Sequence, residues 1–115
     1  MSITAFLIDP TDKRLTLLKE FDCSLQNLYE RMNCKQVGVF YHDNHCFYYD
    51  DEHDIEEAKE FWRLTDFESW VAGKAIVVSE QTTKDGDSLS ADENYGLSLL
   101  KKLRFGTKTI ENEAA

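Results

Sequence analysis

Residues 37–50 read VGVFYHDNHCFYYD, two apolar and aromatic runs separated by a polar pair. No other stretch restricts the fold as tightly. Asp43 and Asn44 are residue types that tolerate the left-handed backbone of a two-residue hairpin turn. A turn there pairs 42 with 45, 41 with 46, 40 with 47 and 39 with 48. Strand side chains alternate, so Val39, Tyr41, Cys46 and Tyr48 share one face. Phe40, His42, His45 and Phe47 share the other. Both faces are apolar towards the middle of the hairpin, which predicts a central pair of strands covered on both sides.

The flanking chain supplies the remaining pieces. Residues 3–8 and 14–21 are strand-like and enclose Asp9-Pro10-Thr11-Asp12-Lys13, strong turn chemistry, which predicts a first hairpin. Asp22 or Ser24 can cap a helix carrying Leu25, Leu28, Tyr29 and Met32 on one stripe, with Asn33 as its stop. Asp54-x-x-Glu57 has the form of a capping box. Ile55, Ala58, Phe61 and Trp62 then predict a short amphipathic helix, with a second turn through Phe67 and Trp70 ended by Gly73. Residues 74–79 form an apolar run expected to be a buried strand. Residues 80–89 read as a polar loop. Ser90-x-x-Glu93 is a second capping box, before a helix that should bury Tyr95, Leu99, Leu100 and Leu103. The expected class is α+β: one domain over residues 1–106, with a flexible tail over 107–115. Its mostly antiparallel sheet would have about five strands and two to three helices, in the order ββαββαβα.

Charge is distributed unevenly. The net value is −9. Residues 1–42 balance, whereas residues 43–93 hold fifteen acids against four bases. Six of those acids fall within eight positions: Asp50, Asp51, Glu52, Asp54, Glu56 and Glu57. Such a belt repels phosphates, which disfavours direct nucleic-acid binding, and attracts basic surfaces. No apolar run is long enough to span a bilayer. The N-terminus lacks the basic segment and cleavage site of a signal peptide, so a cytoplasmic location is expected. Cys23, Cys34 and Cys46 are odd in number and contain no CxxC, which argues against a disulfide framework or a zinc knuckle.

Four features could carry chemistry. His42 and His45 flank one turn and could chelate a metal, but a structural zinc site needs a second pair of ligands, which is missing. The acidic belt lacks EF-hand spacing, and Asp85-Gly86-Asp87-Ser88-Leu89 lacks it too. Cys46 adjoins His45, yet neighbouring strand residues point to opposite faces, and an acidic field raises a thiol pKa. No GxSxG, phosphate loop or HExxH occurs, so no enzyme is expected. The aromatics that follow the belt, Trp62 and Trp70 among them, combine with it into a surface suited to gripping a basic partner.

The stretches AFLIDP, NC at 33–34, YYDDEH, W-x-x-GKAIVV, DGDSLS and KLRF together resemble a family of small phage and prophage proteins defined only as a domain of unknown function. The likeness spans residues 3–105. Gly73 and Asp85-Gly86-Asp87-Ser88 match best, and residues 55–70 depart from the pattern. The resemblance implies a mobile-element origin and brings no catalytic residues. The expectation is a non-enzymatic acidic protein that binds a basic surface of a host protein, as a nucleic-acid mimic or anti-defence inhibitor. Its contacts would be Asp50, Asp51, Glu52, Asp54, Glu56, Glu57, Trp62 and Trp70. No cofactor is expected. One alternative is a pocket for a nucleotide-like ligand between the sheet and residues 61–70; another is metal binding at His42 and His45.

Overall fold

Two hairpins and the strand that joins them build the larger of two sheets. In the computed structural model, residues 2–52, 58–79 and 90–107 are described. The first hairpin is β1 (Ser2–Asp9) and β2 (Arg14–Asp22). Asp9 nucleates its turn by accepting the N–H groups of Thr11 and Asp12 at Oδ1. The second hairpin is β3 (Val37–His42) and β4 (His45–Asp50). Its register is the expected one, from His42 opposite His45 to Val37 opposite Asp50. Asp43 and Asn44 both have positive φ, at 50° and 61°, as the two-residue turn requires. Ala75–Ser79, here β7, lies between the hairpins and pairs antiparallel with β1 and β4. The sheet order is β2-β1-β7-β4-β3.

Position in that order explains burial. Ala75, Ile76, Val77 and Val78 are each fully enclosed, as expected of the central strand. β4 is interior as well. β3, however, is an edge strand, and Val39 and Tyr41 are 45% and 61% exposed. The expectation of a hairpin covered on both sides therefore holds for β4 and fails for β3. An edge strand lacks the neighbour whose side chains would complete that cover.

The helix α1 (Leu25–Met32) follows β2. Ser24 Oγ caps it by accepting the Asn27 N–H at 3.2 Å, and Asn33 ends it in the left-handed region. Leu28 and Met32 bury against Ile76, Val78 and Cys46 on one face of the sheet. Leu25, expected on the same stripe, is 54% exposed; it is the first residue of the helix, a turn before the buried Leu28.

The opposite face carries the larger core and the largest departure from expectation. Residues 60–72 are not helical. They form β5 (Glu60–Leu64) and the short β6 (Val71–Ala72). Gly73, at φ 80°, turns the chain from β6 towards β7. The helix α2 (Tyr95–Lys102) leads directly into β8 (Leu103–Thr107). These strands make a second antiparallel sheet of order β6-β5-β8. Trp62 and Leu64 point inward from β5 and meet Phe6, Phe47, Val77, Leu99 and Leu103. Burying each large side chain there contributes about 2–3 kcal/mol. The element order is thus ββαβββββαβ rather than ββαββαβα, within the α+β class that was expected.

The start of α2 also differs. Ser90 makes no capping box. Its Oγ accepts the Thr4 N–H at 2.9 Å, and the Ala91 N–H donates to the Thr4 carbonyl. Leu100 is 57% exposed rather than buried. Residues 53–57, 80–89 and 108–115 lie outside the described residues. With them go His53, Asp54, Glu56, Glu57, the 54–57 capping box, the Asp85–Ser88 motif and all of the expected tail except Thr107. Among the described residues no helix is long and apolar enough to cross a membrane.

Candidate functional site

The end of β4 delivers the acidic belt to the rim of a crevice. Asp50, Asp51, Phe40, Tyr49 and Trp70, with Val71 and Ala72, line a cavity of about 260 Å³ between the edges of the two sheets. Gly38 makes this geometry possible. The Tyr49 ring lies across β3 at that position, and a Cβ on residue 38 would sit 2.3 Å from Tyr49 Cζ. Phe40 backs the crevice, stacked on Phe47 with centroids 4.9 Å apart and tilted against Tyr49 at 5.8 Å. Trp70 forms the outer wall and is 41% exposed. The Arg63 guanidinium lies 5.1 Å from its ring centroid, a cation–π contact that holds the indole in place.

Asp51 and Glu52 are ordered by uncharged partners, whereas Asp50 sits on the α1 side of the strand, beside Cys34. Asp50 is buried, and its Oδ1 accepts the Glu52 N–H. Asp51 accepts Gln36 Nε2 at 3.2 Å, and its own N–H donates to the Gln36 carbonyl. Glu52 accepts the Lys35 N–H at 2.9 Å. Asp51 and Glu52 are exposed and form no ion pair among the described residues. Their charge faces outward. An aromatic-walled crevice with carboxylates at its end suits a cationic group, because ring faces and carboxylates both attract positive charge. The same carboxylates oppose an anionic, nucleotide-like ligand.

Of the expected contact residues, the structure brings Asp50, Asp51 and Trp70 to one crevice, with Glu52 adjacent in sequence. Trp62 is a correction. It is completely buried in the core, so it cannot touch a partner. Tyr49 and Phe40 were missed as site residues. The signal available for them was the alternation in FYYD, which puts Tyr49 and Phe40 on one face once the register is known.

The histidines belong to a different cluster. His45 is buried at 7% exposure, stacked on Tyr95 with centroids 3.9 Å apart. Its Nε2 accepts the Asp92 N–H at 3.4 Å, and its Nδ1 lies 2.8 Å from the Asp43 carbonyl oxygen. Both ring nitrogens are engaged, which leaves neither for a metal. His42 instead joins Asp43 and Asp66, with Nε2 at 3.1 and 3.0 Å from their Oδ2 atoms. These three could approach a common ion. The Lys102 ammonium already sits 2.8 Å from Asp66 Oδ2 and 3.3 Å from Asp43 Oδ2. It supplies the positive charge that the carboxylates require. Hydrogen bonds from Lys102 and then His42 lower the Asp66 pKa. The reciprocal bonds from Asp66 and Asp43 raise that of Lys102. Tyr95 is raised by burial and by the neighbouring Asp43 charge. The cluster fastens the hairpin bend to α2 and to the loop between β5 and β6.

No disulfide joins the three cysteines. Cys46 packs in the α1-side core, on the face opposite both histidines. Burial, then the Asp50 charge, raise the Cys34 thiol pKa, which favours the unreactive protonated form. No family model, curated protein or solved structure matches the chain.

Proposed function

We propose that this is a non-enzymatic, acidic interaction protein that captures a cationic group of a basic protein partner in the Phe40/Tyr49/Trp70 crevice. The observation that carries the reading is the exposed Asp51 at the rim of a cavity walled by three aromatic side chains. The net charge of −9 supports it at longer range by steering a basic partner towards the rim. Carboxylates held in place by Gln36 and Lys35 can stand in for phosphates on a nucleic-acid-binding surface. In that form the protein would be a competitor of nucleic acid, acting on a host protein. The phage-like motifs favour a mobile-element origin and an anti-defence role.

A lysine-rich peptide titrated against the protein, followed by tryptophan fluorescence, tests the reading. Trp70 is the accessible indole, and Trp70→Phe identifies its share of the signal. Binding should weaken steeply between low and high salt, and Asp51→Asn should reduce it several-fold. An affinity indifferent to both salt and Asp51→Asn would overturn the proposal.

A further inference from the structure

The crevice opens beside a strand that is ready to accept another. We infer that the partner binds as an extended segment added to the free edge of β3, with alternate basic and apolar residues. This rests on the crevice reading above and specifies how the partner's backbone is held.

The geometry follows from the hairpin. A two-residue turn makes 42/45, 40/47 and 38/49 the pairs that exchange hydrogen bonds, in phase with the Asp51–Gln36 bond beyond them. The N–H and C=O groups of Val37, Val39 and Tyr41 therefore point away from β4. Among the described residues none of them meets a backbone partner. A six-residue strand with unbroken register, no lysine, arginine or carboxylate and no bulge is an unguarded template.

Its two faces define what fits. An added strand would place every second side chain beside Gly38 and Phe40, at the mouth of the crevice. From there a lysine or arginine can slide along the Tyr49 ring towards Asp51. The intervening side chains would lie beside Val39 and Tyr41, which are exposed and apolar. Basic residues on one face and apolar ones on the other satisfy both. A second copy of this chain is a poor occupant by charge. Each copy carries −9, and the acidic rim lies at the end of the same edge. Main-chain bonding of this kind supplies affinity, and the flanking side-chain sites supply selectivity.

The probe is a short synthetic peptide alternating lysine and valine, compared with the same peptide N-methylated on alternate residues, which cannot pair as a strand. Hydrogen exchange of individual amides is the readout. The alternating peptide should slow exchange at Val37, Val39 and Tyr41. The N-methylated peptide, or Val39→Pro in the protein, should bind about tenfold more weakly. The proline replaces an N–H that faces outward, so the fold tolerates it, and the peptide comparison needs no protein variant at all. Binding seen by Trp70 without amide protection, and equal for both peptides, overturns strand addition and leaves the crevice reading standing. Protection that persists unweakened in Asp51→Asn and Trp70→Ala overturns the crevice reading and keeps strand addition. Absence of binding at low salt overturns both. Protection that appears with rising protein concentration and no peptide makes a second copy the occupant, and overturns the proposal.

Discussion

The five-stranded sheet ends in two edges that have been treated in opposite ways. β2 is guarded. It carries Arg14, Lys19, Glu20 and Asp22, and it bulges opposite Thr4, where Lys19 and Glu20 together face one residue. Glu20 sits at φ 56°, a left-handed conformation that a side chain enters only at a cost. β3 has no lysine, arginine or carboxylate, no bulge and no left-handed residue, and Val39 and Tyr41 stand exposed on it. Edge protection is a general requirement for avoiding aggregation, so an edge unpaired among the described residues beside an acidic crevice is what the strand-addition proposal would explain. What differs between the edges is that the closed one costs backbone strain and the open one costs solubility risk.

The largest effect should come from Gly38, since the open edge exists in its present form only because that position has no side chain. Gly38→Val places its Cβ within 2.3 Å of the Tyr49 ring. The ring must leave β3, which removes one wall of the crevice and destabilises the fold by about 1–3 kcal/mol. Denaturant unfolding measures the loss. Adding Tyr49→Ala should recover most of it, since the clash then disappears. No recovery would mean that the edge depends on the glycine backbone itself rather than on the ring above it.

At the guarded edge the expected effect is smaller and opposite in sign. Glu20→Gly should stabilise by about 0.5–1 kcal/mol, because glycine enters the left-handed region without penalty yet gives up chain entropy. Deleting Glu20 breaks the comparison more directly. The bulge is what lets Leu18 and Phe21, three positions apart, both bury on the α1 side. Without Glu20 they are two apart and still face inward, now along a flat strand. Light scattering should then show self-association that the parent chain lacks. A monomeric deletion variant would show that charge alone guards β2.

The contrast between the edges was only partly legible in the residues. Local chemistry was readable. The Asp43-Asn44 turn, the 42/45 to 39/48 register, a cap at Asp22 or Ser24 and a stop at Asn33 for α1, and the apolar run 74–79 all depend on neighbours in sequence. Edge or centre does not. β3 is an edge because β7 chose the other side of β4, and nothing within VGVFYH records that choice. The second sheet was misread for a related reason. Phe61-Trp62-Arg63-Leu64 fits a helical stripe with Ala58 as well as it fits alternation. Its true partner, Leu103–Thr107, was read as the end of a helix and a tail. Each strand is short, and each is recognisable only beside the other. Of the expected contact residues, Asp50, Asp51 and Trp70 line the crevice and Trp62 lies in the core, while Tyr49 and Phe40, which also line the crevice, were not named from the sequence.

The hairpin end of β3 is fastened by charge, and pH can loosen it. Asp66 has a lowered pKa in the fold, so its contribution is present above the ordinary carboxylate range, near pH 4, and is lost as pH falls through the lower folded value. Lys102 is raised, so its contribution is present below the ordinary lysine range, near pH 10, and is lost as pH climbs through the higher folded value. Tyr95, also raised, adds a loss in the same alkaline direction. Both ends of the ion pair are solvent-exposed, so the effect is modest and salt reduces it. Carboxyl NMR titration should show Asp66 returning towards its ordinary value in Lys102→Ala. If it does not move, Lys102 does not set the Asp66 pKa, and His42 is what holds it low.

The smallest expected change in stability is also the sharpest test of why β3 is bare. Val39→Lys replaces a side chain that is 45% exposed and turned away from the crevice. Exposed substitutions of this kind alter stability by no more than about 0.5 kcal/mol, and lysine is a common guard on natural edges. The variant should therefore fold as the parent does, with the same thermal midpoint. If bareness serves nothing, no property of the protein should change. If the edge is a docking strand, the alternating lysine–valine peptide should bind Val39→Lys several-fold more weakly, because its valines lose an apolar neighbour and meet a charge. Fluorescence from Trp70 should still report the free crevice unchanged. An unaltered fold with altered binding separates an edge kept open for a partner from one merely left unprotected.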